Sequence, residues 1–263
     1  MASNPGKTGR SGWWSRIILV LGIASVAVPL AAAIGAGQGY WSAFAGLGIL
    51  RLVFLISLGV ILLTLILLIL YRKQGRGFML PTLAGLVLML GYTGYIGFHV
   101  VKAGSLPRIH DVSTDLADPP AFAELELRKD NLAEIPGRGD PEFAGMDARE
   151  RWVHLHKGAY GDIRPVTVAL PVADTVKLAE KLASERGWEI ALADPEGGRL
   201  EATDTVALFR FKDDVVLRVR PGEAENTAVV DMRSVSRIGI SDLGVNAKRV
   251  RGFLKDLQDR AGS

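Results

Sequence analysis

The chain has 263 residues, of which 49% are hydrophobic, and a formal net charge of +3. The absence of cysteine excludes disulfide bonds, thiol nucleophiles and cysteine-ligated metal or iron–sulfur sites. Seven of the 31 basic residues and none of the 28 acidic residues precede Lys102, which leaves a negatively charged remainder and argues against nucleic-acid binding.

Three uncharged apolar stretches, 17–34, 52–71 and 78–101, are each long enough to cross a lipid bilayer as a helix. Lys and Arg are concentrated in the N-terminal segment 1–16 and in the loop between the second and third stretches, whereas the first loop is uncharged up to Arg51 at its edge. The positive-inside rule therefore predicts a multi-pass membrane region, 17–103, with a cytoplasmic N-terminus and the C-terminal part outside.

A second interpretation stays open for the first apolar stretch. The basic segment Lys7–Arg16, the apolar residues after it and Ala31–Ala33 also fit a cleavable signal peptide. Two helices would then remain and would still return the chain to the outer side. The predicted side of the C-terminal part is the same in both cases.

Segment 104–150 differs in composition from what precedes and follows it. It contains five prolines, and the range Asp111–Glu150 has 11 acidic and 4 basic residues. Prolines at this density favour extended and turn structure over a helix. The sequence predicts an extended acidic arm and leaves open whether it packs on the following domain.

The region 151–263 is predicted to be a soluble α+β domain. Its pattern gives the order β-α-β-β-β-β-α, a mainly antiparallel sheet in two layers with the helices on one face. Asp194-Pro-Glu-Gly-Gly198 is typical of a hairpin turn. The predicted elements are a strand 164–170, a helix Asp174–Arg186, strands 188–193, 199–204, 206–211 continuing into 215–220, and 227–235, and a helix from Asp242.

Strand alternation sorts the side chains of this sheet into two sets. The apolar set, predicted to face the helices, is Phe209, Phe211, Val215, Leu217, Val219, Val230 and Met232. The opposite set is charged and mostly basic: Arg210, Lys212, Asp214, Arg218, Arg220, Asp231, Arg233 and Arg237. Such a face is either a solvated surface of cross-strand ion pairs or an anion-binding site.

The anion-site interpretation rests on polar residues around the last strand and helix. Free amides at a helix start attract anions, although Asp242 would compete by capping those amides itself. Asp213 and Asp214 would orient the arginines. The predicted ligand-binding residues are Arg233, Ser234, Ser236, Arg237, Asn246, Arg249, Asp213 and Asp214.

Two stretches of the sequence resemble a known family. Arg233–Asn246 followed by Arg249, and Phe211-Lys-Asp-Asp214 before a strand, are similar to the signature of domain-of-unknown-function family 1499. The arm residues Ile109–Asp115 also match family members with N-terminal membrane spans. The resemblance covers roughly 107–257 and implies a protein of the bacterial cell envelope. Together with the orientation predicted from the loop charges, it predicts a bacterial inner-membrane protein with a periplasmic domain. It implies no catalytic residue.

Other chemistry finds little support in the sequence. His110, Asp111, Asp115 and Asp118 match no metal-binding loop, and His154 and His156, read as neighbours on a strand face, lack a third ligand. No nucleophile elbow or phosphate-binding glycine loop occurs, so no catalytic residue, metal or cofactor is predicted.

The sequence thus favours a membrane-anchored binding module, and not an enzyme, for a membrane or envelope protein partner or a small anionic ligand. Two alternatives remain. One is a cell-envelope hydrolase that uses the Arg, Ser and Asp cluster, and it lacks a general base. The other is a membrane-complex or transport accessory protein that acts through its helices.

Overall fold

The computed structural model describes residues 5–133 and 135–262. The first four residues of the predicted cytoplasmic segment lie outside the described residues. The chain divides into two compact units with a boundary after Gly104, and the short segment Ala207–Arg210 is grouped with the first unit.

The first unit contains three helices, α1 (Pro5–Gly37), α2 (Ala43–Leu70) and α3 (Arg76–Gly104). All three are long and apolar enough to span a membrane. They run further than the uncharged stretches, so that Arg51 lies inside α2 and not in a loop. α1 and α3 approach closely where Gly22 meets Gly85, since a Cβ atom on Gly22 would lie 2.5 Å from the Gly85 Cα.

The second unit is built on one six-stranded antiparallel sheet. Its path is β1-β6-β5-β4-β3, and β2 pairs with β6 beside β1. The central pair β5–β6 is continuous from Asp213↔Ser236 to Pro221↔Ala228. The elements are β1 (Asp111–Ser113), a 3-10 turn (Pro141–Phe143), α4 (Ala148–Tyr160), β2 (Val166–Val168), α5 (Val172–Glu185), β3 (Glu189–Asp194), β4 (Arg199–Thr205), β5 (Lys212–Pro221), β6 (Ala228–Ser236) and α6 (Val245–Ala261).

The α+β prediction is confirmed, and so is most of the apolar face. Val215, Leu217, Val219, Val230 and Met232 are buried in the core, together with apolar residues of α5 and α6. Trp188 stacks on Phe253 of α6 with ring centroids 5.0 Å apart, which joins the start of β3 to that helix. Burial of this area is the main source of the unit's stability.

Two local predictions were wrong. Residues 206–211 are not a strand, because β4 ends at Thr205 and the chain turns through Leu208 and Arg210, both at positive φ, before β5 begins. His154 and His156 do not share a strand face, because both lie in α4. That helix begins with a capping box between Asp147 and Glu150, a signal that the acidic, proline-rich context obscured.

Candidate functional site

The charged face of the sheet is covered by the acidic arm. The buried carboxylate of Glu201 on β4 accepts hydrogen bonds from the amides of Ala123, Glu124 and Leu125, at 2.6, 3.0 and 2.8 Å. Arg199 donates to the carbonyl of Ala121 at 2.5 Å. Three hydrogen bonds from backbone N–H groups compensate a buried carboxylate for the loss of its hydration. This contact therefore holds the arm on the sheet.

A cluster of ion pairs fastens the beginning of the arm. Arg218 on β5 pairs with Asp118 at 2.7 Å and with Asp115 and Asp231 at 3.3 Å each. Arg220 adds a second pair with Asp231, at 2.6 Å. The arm aspartates considered as metal ligands are therefore partners of arginine, which explains their spacing without a metal.

The sheet edge carries a buried network around Asp111. Arg233 on β6 donates two hydrogen bonds to this carboxylate, at 3.0 and 2.6 Å, and a third to the carbonyl of Pro120. Asn131 donates to Asp111 at 2.6 Å and contacts the His110 ring at 3.2 Å. A buried charge pair needs such additional hydrogen bonds to offset its desolvation.

A second buried network lies between the sheet and α6. Ser234 donates to the Asn246 carbonyl oxygen at 2.7 Å, and Asn246 donates to Ser236 at 3.0 Å. Arg249 donates to Asn246, to Ser234 at 3.1 Å and to Asp213 at 2.6 Å. Ser234 is fully buried, so its hydroxyl bonds within the protein and is closed to solvent.

The remaining predicted pair is on the other face. Arg237 donates two hydrogen bonds to Asp214, at 2.8 and 2.9 Å, and a third to Thr203. Because consecutive strand residues face opposite sides of a sheet, Asp213 and Asp214 point in opposite directions, towards Arg249 and Arg237 respectively. The eight predicted ligand-binding residues thus divide between two faces of the sheet, and the polar side chains of all eight are hydrogen-bonded within the protein.

The start of α6 is also occupied. Asp242 accepts hydrogen bonds from the amides of Gly244 and Asn246, at 2.9 and 2.7 Å. This is the capping role that weighed against a free anion site at the helix start. Burial raises the pKa of Asp242, and the two amides act in the opposite direction.

An open cleft of about 600 Å³ lies beside the Asp111 network. Its lining combines the sheet, the arm and the first turn of α4, and includes two acidic and four basic side chains. Both acids are paired, Asp111 with Arg233 and Asp118 with Arg218. The basic side chains are Arg128, Lys129, Arg149 and Arg233.

Arg128 and Arg233 each pair with a carboxylate, whereas Lys129 and Arg149 do not pair with any described carboxylate. Arg128 pairs with Asp130 and holds the pKa of that carboxyl down to about 2, through a side-chain hydrogen bond. Lys129 and Arg149 are exposed and have no carboxylate partner among residues 12–133 and 135–262. Arg149 is oriented by hydrogen bonds to the carbonyls of Leu116 and Ala117, at 3.3 and 2.7 Å. Within the residues that the structure describes, the cleft therefore presents two positive charges without a carboxylate partner.

Sequence reasoning missed these residues, although a signal was present. The range Asp111–Glu150 of the acidic arm contains only four basic residues, and three of them, Arg128, Lys129 and Arg149, line the cleft. The presence of basic side chains within an acidic segment could have indicated that they act together at one site. Their approach to Arg233 depends on the arm packing on the sheet, which the sequence left open.

The histidines of α4 do not form a metal site. His156 is buried between Trp152 and Tyr160 and accepts a hydrogen bond from the Ser113 amide at 3.3 Å. Burial lowers the pKa of His156 to about 4, so the ring is neutral at physiological pH. His154 lies exposed near Glu142. No group of three metal-binding side chains occurs in the part of the chain that the structure describes.

A family model described as "Protein of unknown function (DUF1499)" matches residues 111–257, more than half of the chain. The chain belongs to the DUF1499 family. The DUF1499 region begins at Asp111, the partner of Arg233, and ends at Leu257 in α6, so it contains both buried networks and the cleft and excludes the three apolar helices. No match was found among curated proteins.

Proposed function

We propose that this DUF1499 protein is a membrane-anchored, extracytoplasmic binding module that holds a small anionic ligand in the arm cleft. The observation that carries the proposal is a pair of cations at a concave site of about 600 Å³: Lys129 and Arg149 have no carboxylate partner among the described residues. That volume is within the range of small-molecule sites, and forked guanidinium donors suit carboxylate or phosphate groups.

The buried residues supply the rigidity that such a site needs. Arg233 lines the cleft, but Asp111 and Pro120 hold its guanidinium, so it adds a fixed positive potential and few free donors. Asn131 is fixed by the same carboxylate. In this proposal Arg233 and Asn131 form the floor, and Lys129 and Arg149 contact the ligand.

The other residues predicted from the sequence have a supporting role in this proposal. Asn246, Arg249, the serines and Asp213 tie β6 to α6, and Asp214 with Arg237 stiffens the face below the arm. Binding is favoured over hydrolysis because the hydroxyl of Ser234 is buried and its partners are Asn246 and Arg249. A protein partner of the envelope is the second candidate, and it would use the exposed outer surface of the arm.

The test uses the full-length chain in detergent. Native mass spectrometry asks whether a small molecule is retained, and thermal unfolding with inorganic phosphate, sulfate or succinate asks which anion stabilises the protein. We expect Lys129→Ala and Arg149→Ala each to weaken binding about tenfold, the size of one charge-assisted hydrogen bond. Lys157→Ala, an exposed lysine on α4 outside the cleft, is the matched control. Equal behaviour of all four proteins would overturn the proposal.

The predicted orientation is part of the proposal and has its own test. In this proposal the N-terminus and the loop between α2 and α3 are cytoplasmic, and the DUF1499 region lies outside the inner membrane of a bacterium. The chain lacks cysteine, so single cysteines can be introduced without background. Lys157→Cys should react with an impermeant maleimide on intact cells, and Lys73→Cys only after permeabilisation. The reverse pattern would invert the topology.

A further inference from the structure

One end of the second unit collects exposed apolar side chains. At this end β6 finishes, β5 begins and the loop 237–244 leads into α6. Ile238, Leu243 and Val245 are 45, 55 and 38% exposed there. Exposed apolar residues so close together on a small surface commonly mark an interaction site.

The conformation of Leu243 is also unusual for a surface leucine. Its φ is +55°, a left-handed conformation that costs a bulky residue free energy. Neither burial nor local geometry favours leucine at this position, whereas the neighbouring Gly244, with φ +79°, suits the turn. A contact outside the protein would account for the exposed side chain.

The same end of the sheet is the one from which the chain connects to α3. Only the six residues Ser105–His110 separate Gly104, the last residue of α3, from β1. An extended connection of that length spans at most about 20–25 Å. The loop 237–244 adjoins this connection, because Asp242 donates its amide to the carbonyl of Ile109 at 3.2 Å.

Basic side chains accompany the apolar ones. Arg108 in the connection and Lys248 in the first turn of α6 are exposed and have no ion-pair partner within 12–133 and 135–262. Apolar side chains with Lys and Arg around them suit the interface of a bilayer, where the former enter the headgroup region and the latter meet anionic headgroups.

We propose that this end of the unit, formed by Ile238, Leu243 and Val245 with Arg108 and Lys248, is a lipid-contacting surface that docks on the headgroup region of the membrane. The occupant is the bilayer crossed by the chain's own helices, and anionic lipids strengthen the contact. The inference does not depend on the arm cleft or its ligand.

The experiment uses the full-length chain in nanodiscs with an environment-sensitive fluorophore on a single cysteine. The labelled positions are Ile238→Cys and Leu243→Cys, and the control is Ala224→Cys in the β5–β6 turn. Ala224 is exposed and lies at the far end of a hairpin about 30 Å long. Each labelled protein is first shown to melt at the temperature of the unlabelled chain.

Doxyl-labelled phosphatidylcholine serves as the quencher. We expect several-fold stronger quenching at 238 and 243 than at 224, and a further increase when phosphatidylglycerol is added at low salt. Arg108→Gln with Lys248→Gln should abolish only that further increase. Equal quenching at the three positions would overturn the proposal. So would shielding of 243 from aqueous iodide without quenching by lipid, which would indicate a second copy or another protein on this surface.

Discussion

Replacing Asp111 by asparagine tests whether the arm is held by a buried charge pair. The side chain is fully buried and accepts two hydrogen bonds from Arg233, at 3.0 and 2.6 Å, and one from Asn131. Asparagine keeps the volume but removes the negative charge, so it leaves the Arg233 guanidinium buried without a counter-charge. Breaking a buried pair in this way costs about 3–5 kcal/mol.

The assay is thermal unfolding of the full-length protein, followed by tryptophan fluorescence. Trp152 donates to the carbonyl of Asp111 at 2.9 Å and reports on this region. A cost of that size corresponds to a fall in Tm of roughly 6–20 °C, at about 2–4 °C per kcal/mol for a unit of this size. Combining Asp111→Asn with Arg233→Met should recover part of the loss, because no unpaired charge then remains.

Asp162→Asn provides the matched control. Asp162 also accepts two hydrogen bonds from one arginine, Arg251, at 2.5 and 2.6 Å, but both side chains are well exposed. Such a surface pair contributes at most about 1 kcal/mol. If Asp111→Asn costs no more than Asp162→Asn, burial does not determine the strength of the Asp111 pair, and the reasoning fails.

Three further outcomes follow from the structure. The free energy of unfolding should fall by up to about 3 kcal/mol as pH drops from about 6.5 to about 4, because His156 takes up a proton in the unfolded chain but stays neutral in the folded protein. In thermal unfolding, His156→Gln should remove this pH dependence, and His154→Gln should not. Glu201→Gln should speed hydrogen exchange of the three arm amides about 10–100-fold, since it weakens charge-assisted hydrogen bonds. Gly198→Ala should lower Tm more than Gly187→Ala, because both have positive φ but only at Gly198 would a Cβ atom meet a backbone oxygen, 2.2 Å away.

Each of these has a contrary result. A stability profile that stays level between pH 6.5 and 4 would mean that His156 is accessible to protons in the folded state. Unchanged amide exchange in Glu201→Gln would mean that other contacts hold the arm. Equal losses for the two glycine variants would mean that only backbone conformation matters at Gly198.

Much of the sheet could be predicted because its residues follow local rules. Alternation placed Val215, Leu217 and Val219 on the helix side, where they are buried. Short or atypical elements could not be predicted from the sequence. β1 has three residues, one of them a buried aspartate, and it exists only because it pairs with β6. α4 buries Trp152 and His156 in place of an aliphatic stripe.

The candidate site was less accessible to sequence reasoning because it depends on contacts distant in the chain. Arg233 and Asp111 are 122 positions apart, and Glu201 reaches arm amides 76 to 78 positions away. The charge pattern showed that one sheet face was polar. It could not distinguish a solvated face from one covered by an acidic arm, since both satisfy the same alternation.

The covered face changes how the arginines should be interpreted. An arginine on an open strand is a candidate donor to a ligand, but Arg233, Arg218 and Arg249 are held by carboxylates of the protein itself. The Arg233–Asp111 and Arg249–Asp213 pairs are buried, and breaking such a pair is costly because it leaves an uncompensated charge in the interior. At the cleft, the positive charge that has no carboxylate partner among the described residues is on the arm, at Lys129 and Arg149. A ligand that binds there contacts the segment that the buried pairs fasten, so its affinity should depend on those pairs even though it touches few of them.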